Sequence, residues 1–311
     1  MQPPAIFLMG PTAAGKTALA LHLVARYPLQ IISVDSAQIY RHLNIGTAKP
    51  TADILQQAPH RLINIRDPNQ TYSAAEFRTD ALAAMQEITA AGHIPLLVGG
   101  TGLYFKALRY GLSALPSADA NLRLQLEQTA ALHGWSALHA ELTNVDPQVA
   151  ARIHPHDTQR IQRALEVWHL TNRPLSMQQH GKQIAALPYR TLIVARSLRN
   201  RETLRTRITA RFRTMLQAGL ETEVRELLAN WNLSPTNTSM RCVGYRQMLQ
   251  YIQGTLSWDE MQDKGIIATA GLAKRQLTWL RQCADVNWLY EEDMDTVLQG
   301  CLLVENWLNM I

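Results

Sequence analysis

The sequence predicts an α/β fold: a parallel β-sheet flanked by helices, with an all-helical insertion domain. Three observations predict it. First, Ala5 to Met9, Gln30 to Val34, Ile94 to Val98 and Thr191 to Ala195 are short, near-continuous apolar runs, the pattern of strands buried on both faces. Second, helical periodicity fills the gaps between the early runs, as crossovers between parallel strands require. Third, from about Leu112 to Pro188 strand character disappears and only helical periodicity remains.

The first strand runs into Gly10-Pro11-Thr12-Ala13-Ala14-Gly15-Lys16-Thr17, which fits G-x-x-x-x-G-K-[ST]. Ala18 to Val24 then reads as a helix, and this strand–loop–helix context gives the motif its meaning. Glycines let successive backbone N–H groups turn toward one anion, and the helix N-terminus adds partial positive charge. Lys16 supplies a cation for phosphate oxygens, and the Thr17 hydroxyl is placed to ligate Mg²⁺. The core is therefore P-loop NTPase-like, and residues 10–17 hold a di- or triphosphate. The loop alone does not say whether that phosphate belongs to a nucleotide.

The second strand ends in Ser33-Val34-Asp35-Ser36-Ala37-Gln38. Asp35 is a candidate general base or Mg²⁺ partner; its plain alternative is a turn cap. Ser73 and Glu76 form a capping box that opens a helix through Phe77, Ala81, Met85 and Ile88, closed by Gly92. The third strand leaves through Gly99-Gly100-Thr101-Gly102, where the Thr101 hydroxyl can reach a phosphate oxygen or simply shape a turn. Ligands of parallel sheets bind beyond the carboxyl ends of the strands. The phosphate loop, Asp35 and Thr101 are thus expected to share one crevice. Pro116 and Ser117 break the chain. The expected organisation is a catalytic core of residues 1–112 and 190–311 and a helical insertion of residues 113–189. The insertion holds His133, His139, His154, His156, His169 and His180, whose spacing suits no standard zinc site. Thr191 to Ala195 resumes the sheet. Long helices follow, one opened by a second capping box at Ser257 to Glu260.

Net charge is +5, and Arg196, Arg199, Arg201, Arg205, Arg207, Arg211 and Arg213 concentrate it, opposed within that run only by Glu202. Such a run favours phosphates of a cofactor or a nucleic acid, or is a solvated helix face. No apolar run approaches the ~18 residues of a membrane span. The early strand leaves no room for a signal peptide. Cys242, Cys283 and Cys301 are far apart and make no C-x-x-C, so a reducing, cytoplasmic setting is expected. No apolar run ends in the acidic residue that holds Mg²⁺ in motor NTPases, unless Asp35 takes that part, so group transfer is favoured over a hydrolytic motor. Gln159, Arg160, Ile161, Gln162 and Arg163 form a segment with polar and guanidinium groups suited to base edges and phosphates. Arg241-Cys242-Val243-Gly244-Tyr245-Arg246 mixes arginine, aromatic and glycine as single-stranded nucleic acid prefers. Lys274, Thr278 and Arg281 form one polar stripe on a long helix, with Trp279 a core residue rather than a stacking platform.

Taken together, GPTAAGKT at 10–17, SVDSAQIY at 33–40, GTAKP at 46–50, VGGTGLYFKAL at 98–108, QRIQRALEV at 159–167, RCVGYRQM at 241–248 and AKRQLTWLR at 273–281 closely resemble the bacterial tRNA dimethylallyltransferase family. The resemblance runs nearly end to end. It implies transfer of a dimethylallyl group from dimethylallyl diphosphate to the N6 amine of the adenosine 3′ of the anticodon. It also implies that residues 10–17 hold the diphosphate of that donor rather than ATP, with Arg211 assisting and Thr17 ligating Mg²⁺. Asp35 becomes the general base and Thr101 a contact to the donor's bridging oxygen. The anticodon stem-loop would meet Asp35, Ser36, Ala37, Gln38, Thr101, Arg123, Gln159 to Arg163, Arg241 to Arg246, and Lys274, Arg275, Gln276, Leu277, Thr278, Trp279, Leu280 and Arg281. A monomer without membrane contact is expected. Two other readings stand beside this one: a small-molecule or nucleotide kinase on the same core, and a non-catalytic RNA-binding module with a vestigial phosphate loop.

Overall fold

A computed structural model describes residues 2–113, 115–178, 186–293 and 295–310; His180 lies outside the described residues. The chain divides into two compact units, Met1–Leu108 with Pro188–Ile311, and Arg109–Leu187.

The first unit opens with strand β1 (Pro4–Met9), helix α1 (Lys16–Arg26), β2 (Leu29–Val34), α2 (Ala52–Gln57), β3 (His60–Arg61), α3 (Ala74–Ala90), β4 (Ile94–Gly99) and α4 (Gly102–Tyr110). The second holds α5 (Ala120–His133), α6 (Trp135–Val145), α7 (Pro147–Ala150), α8 (Thr158–Thr171) and α9 (Leu175–Gln178). The chain then returns to the first unit through β5 (Arg190–Ser197), α10 (Arg201–Gln217), α11 (Leu220–Asn230), α12 (Tyr245–Ile252), α13 (Trp258–Leu280), β6 (Val286–Tyr290) and α14 (Thr296–Leu308). Because α4 runs on to Tyr110, the second unit begins inside that helix, just ahead of the expected residue 113.

All strand pairs are parallel, in the order β3-β2-β4-β1-β5-β6. The four apolar runs give the four central strands. Edge strands β3 and β6 were not anticipated: β3 is two residues long, and β6, Val-Asn-Trp-Leu-Tyr, is too polar to read as doubly buried. Register sets the shape of the sheet's carboxyl edge. Met9 pairs with Gly99, Val34 pairs with Gly99, and Met9 pairs with Ala195. Three strands, β1, β2 and β4, therefore end level, with Gly10, Asp35 and Gly100 the next residues out, while β5 runs two residues further, to Ser197.

One core packs Leu19 and Leu23 of α1, and Val304 and Trp307 of α14, against Ile6, Leu8, Leu96 and Val194 of the sheet. Elsewhere in the unit Phe7 meets Phe105 at 5.4 Å between ring centroids, and Phe105 meets Trp279 at 6.3 Å. Trp279 is thus a packing residue, as its sequence context indicated. Each large apolar side chain so buried stabilises the fold by roughly 1.5–3 kcal/mol. Both capping boxes are formed, at Ser73–Glu76 and Ser257–Glu260.

The helical unit has its own core, including Leu126, Leu138, Leu142, Val149, Ile161 and Leu165. A fully buried carboxylate, Glu166, sits among these helices. It accepts from Arg123 through Nε (2.8 Å) and Nη2 (3.1 Å), from Arg163 Nη1 (2.5 Å) and from the Asp119 backbone N–H (2.9 Å). These hydrogen bonds hold its carboxyl below the ordinary glutamate range against the opposing effect of burial.

Candidate active site

The level strand ends open onto one cavity of about 290 Å³. Thr12, Ala13, Gly15, Lys16 and Thr17 line it from the phosphate loop, Asp35, Ala37 and Gln38 from the end of β2, and Gly99 and Gly100 from the end of β4. Gly15 is in the left-handed region, φ 76°, as the turn into α1 requires. No side chain caps α1 and no acidic residue occupies its first turn, so its leading N–H groups are available to an anion. Lys16 Nζ donates to the Pro11 carbonyl across the loop at 2.8 Å. Loss of hydration pulls the Lys16 ammonium down to about 8, Asp35 partly opposes this, and Arg211 adds to it. Arg211 is the one arginine among the described residues that lines the cavity, and burial lowers its pKa too.

Asp35 caps a turn and also faces the cavity. Its Oδ1 accepts from the N–H groups of Ala37 (2.8 Å) and Gln38 (3.2 Å), capping the turn, while the residue lines the cavity within the field of Lys16 and Arg211. Oδ2 takes no part in that turn. Thr101 Oγ1 accepts from the Ser36 N–H at 3.1 Å, so Thr101 braces the 35–38 turn from β4's exit. Gln276 joins the two halves of the floor. Its Oε1 accepts from Thr12 N–H at 2.8 Å, and its Nε2 donates to the Gly100 carbonyl at 3.1 Å. Gly100 must be glycine for this, since a Cβ there would come within 2.3 Å of Gln276 Nε2.

The far side of the cavity is formed by Gly46, Thr47, Ala48 and Pro50, together with Cys242 and Val243 from a distant part of the chain. Burial, then Asp35, pushes the Cys242 thiol up to about 12, which keeps it neutral and apolar. Gln38 Nε2 donates to the carbonyls of Thr47 and Ala48, each at 3.3 Å.

Not every anticipated contact residue is disposed to touch RNA. Ile161, Tyr245, Leu277 and Leu280 are buried in packed cores, which withdraws their side chains from a ligand, and Gly244 is buried as well. The Tyr245 hydroxyl is spent on Glu223 at 2.6 Å. Gln276 turns to the phosphate loop rather than outward. Arg123 and Arg163 are held by Glu166, whereas Arg160 is 71% exposed and paired only at 3.4 Å with Asp157. Ser36, Arg241, Arg246, Lys274, Arg275, Thr278 and Arg281 are exposed, and Gln159 and Gln162 lie on α8.

The arginine run needs correction. Glu202 is not its only opposition, because Glu291, Glu292 and Asp293 close over it from the end of β6. Arg207 pairs with Glu291 at 2.6 Å, Arg196 with Glu291 at 3.4 Å, and Arg199 with Asp293 at 2.8 Å. Glu292 accepts from the N–H groups of Arg199 and Asn200. These partners lie more than eighty positions apart in the chain, which a composition window cannot see. Gln276 and Glu223 were missed as organising groups for the same reason.

Known proteins share both the sequence and this architecture. The IPP transferase family model matches residues 38–283. The chain is 57% identical over 295 residues to the tRNA dimethylallyltransferase of Thioalkalivibrio sulfidiphilus, covering 95% of this chain and 92% of that protein. The crystal structure of the full-length tRNA isopentenylpyrophosphate transferase of Bacillus halodurans is similar with a TM-score of 0.73 and 33% identity, covering 100% of this chain and 98% of the other. A eukaryotic dimethylallyltransferase acting on tRNA shares the fold, with a TM-score of 0.80 and 22% identity over 99% of this chain and 80% of that one.

Proposed function

The chain belongs to the IPP transferase family, and from that premise we propose how its cavity moves a dimethylallyl group from dimethylallyl diphosphate to the N6 amine of the adenosine 3′ of a tRNA anticodon, releasing diphosphate. The observation that carries the proposal is the level ending of β1, β2 and β4, which brings an open helix N-terminus, Lys16 and Asp35 to one cavity that Arg211 of α10 also lines. The kinase alternative is not favoured, since the family and its named relatives transfer prenyl groups.

An adenine amine is a poor nucleophile because its lone pair is delocalised into the ring. An ordinary carboxylate does not deprotonate it in advance. Asp35 accepts the proton as the N–C bond forms, an effect of typically ~10²–10⁴ in rate. The departing diphosphate gains charge as the C–O bond breaks. Lys16, the backbone N–H groups of Gly15, Lys16 and Thr17 at the open start of α1, and Arg211 meet that growing charge, with Thr101 beside the bridging oxygen. Enclosure keeps water from capturing the allyl fragment.

The residues fit a magnesium ion. Thr17 and Asp35 offer hard oxygen atoms to the cavity, and no cluster of three or more His, Cys, Asp or Glu occurs among the described residues. That sparse set suits Mg²⁺, which keeps waters and takes its other ligands from substrate phosphates. Thr17 would hold it, and the ion would neutralise charge on the leaving diphosphate. RNA would be met in the first unit by Ser36 to Gln38, Arg241, Arg246 and the Lys274–Arg281 stripe, and in the helical unit by Arg160, with Arg123 and Arg163 held back by Glu166. We place the protein in the cytoplasm as a monomer; no helix among the described residues is long and apolar enough to cross a membrane.

The test is incubation of purified protein with labelled dimethylallyl diphosphate, Mg²⁺ and unmodified tRNA. Label is expected at the adenosine 3′ of the anticodon. Turnover of ATP with no label in tRNA would overturn the proposal.

A further inference from the structure

Glu223 is a buried carboxylate with no part in the transfer chemistry. It lies in α11, one turn in from the left-handed Gly219. Its Oε2 accepts from the N–H groups of Asn44 (2.9 Å) and Ile45 (2.8 Å), and its Oε1 from Gly46 N–H (3.3 Å) and the Tyr245 hydroxyl (2.6 Å). Four donors on one carboxylate make a stiff joint, because charge-assisted bonds are the strong ones. The joint admits no side chain at residue 46: a Cβ on Gly46 would lie 2.5 Å from the Tyr245 ring and 2.8 Å from Leu220.

This joint fixes the next piece of chain. Thr47 and Ala48 follow Gly46, and their carbonyls take the Gln38 amide, both accepting from Nε2. An amide side chain has two N–H donors and one carbonyl acceptor. With its nitrogen committed to two carbonyls, Gln38 shows its oxygen, Oε1, which accepts from the Ser33 hydroxyl at a long 3.4 Å. Gln38 lines the cavity together with Ser33, Thr47 and Ala48; with both amide hydrogens committed to carbonyls it has no N–H left to give a ligand, while Oε1 keeps acceptor capacity beyond its one long bond.

We propose that Glu223 is a specificity-positioning residue: by pinning residues 44–46 it presents the Thr47 and Ala48 carbonyls that orient the Gln38 amide, so that the cavity accepts a base bearing an exocyclic amine and rejects one bearing a carbonyl oxygen at that position. This rests on the reading that the cavity receives a tRNA base. An amine N–H meets Oε1 as a donor. A carbonyl in its place sets two acceptors against each other, and turning Gln38 to rescue it would face its oxygen toward the Thr47 and Ala48 carbonyls. Discrimination therefore comes from repulsion as much as from attraction.

The experiment compares anticodon stem-loops that differ only in carrying adenosine or inosine at the target position. Binding is measured with inorganic diphosphate and Mg²⁺ present, so that no turnover occurs. The wild type is expected to prefer adenosine by roughly a hundredfold. Glu223→Gln, which cannot accept all four bonds, is expected to lose about tenfold of that ratio while diphosphate affinity stays unchanged. Tyr245→Phe removes one bond of the four and leaves the three backbone bonds; it is expected to lose about threefold, and it carries the test alone if Glu223→Gln does not fold. An unchanged ratio in the folded variants overturns the assignment, as does a fall in diphosphate affinity equal to the fall in base preference, which would mark Glu223 as general scaffolding. A wild type that fails to prenylate tRNA removes the underlying reading; a wild type that prenylates, with variants of unaltered preference, removes only Glu223.

Discussion

The two ends of the cavity are built in opposite ways. The phosphate end is local: eight consecutive residues, a left-handed glycine and the first turn of the helix they open supply its amides and its lysine. The base end is assembled from afar. Gln38 is oriented by Thr47 and Ala48, which follow the segment pinned by Glu223, 177 positions from Gly46, and by Tyr245 beyond it. A phosphate is bound by many backbone dipoles that any sequence can supply once glycine permits the turn. A base edge is read by one amide in one orientation, and that orientation needs partners from distant helices. The first end should therefore lean on few remote residues, Gln276 chief among them, and the second on several.

The largest effect should come where the two ends meet. Asp35 caps the 35–38 turn with Oδ1 and stands in the field of Lys16 and Arg211. Asp35→Ala is expected to lower single-turnover transfer by about 10²–10⁴ while tRNA affinity changes little. Near-normal turnover would return Asp35 to a simple cap and leave the base end without its acid–base group. Asp35→Asn, which keeps an acceptor for the turn but takes no proton, separates the two duties: transfer should fall with the fold and tRNA affinity intact.

Gln276 tests whether the phosphate end is as local as its motif. Its amide holds Thr12 N–H and the Gly100 carbonyl at once. Gln276→Ala removes both bonds, which are worth about 0.5–1.5 kcal/mol each. Donor kcat/KM should fall by about tenfold, with tRNA KM little altered. An effect confined to tRNA KM would place Gln276 with the RNA stripe of its helix, where sequence alone put it.

Lys16 gives the phosphate end a pH signature. Burial sets its ammonium at about 8, below the ordinary 10.5. Above pH 8 the empty cavity holds a neutral amine, yet a diphosphate calls for the cation. Donor affinity should thus weaken by up to about tenfold per pH unit above 8, with proton uptake on binding. Calorimetry at pH 9 in two buffers of different ionisation enthalpy measures that uptake, and at pH 7 it should be absent. For folding the sign is the reverse: between about 8 and 10.5 the unfolded chain binds more protons at this site, so its contribution to stability rises with pH.

The same contrast divides what was legible in the chain from what was not. Four central strands, both capping boxes and the phosphate loop could be read because each is a pattern within a short window. The meeting of the phosphate loop and Asp35 follows from the rule that parallel sheets bind ligands beyond their carboxyl ends; at the third strand's exit it is Gly99 and Gly100 that line the cavity, while Thr101, the residue expected there, braces the 35–38 turn. The edge strands were not, since β3 is a two-residue strip and β6 mixes polar and apolar positions. Glu291 to Asp293 neutralise much of the arginine run from across the fold, and Glu223 and Gln276 act through partners 177 and 264 positions away. Their roles come from packing, which no local pattern records.

The smallest effect concerns which arginines meet RNA, and it carries the same lesson to charge. Arg199 is exposed, yet its guanidinium is bonded to Asp293 and lies 4.0 Å from the centre of the Tyr290 ring. Arg160 is more exposed still and has only a 3.4 Å contact to Asp157, three residues before it. A phosphate competing for Arg199 must displace a bidentate carboxylate; one competing for Arg160 displaces almost nothing, because a lone surface pair contributes about 0–1 kcal/mol. Arg160→Ala should therefore weaken tRNA binding by about threefold at moderate salt and flatten the slope of log K against log salt by about 0.7–0.9. Arg199→Ala should leave that slope unchanged and lower thermal stability instead. If the two variants exchange these behaviours, the acidic residues at 291–293 are a gate that RNA opens, and the charge run itself is the RNA surface.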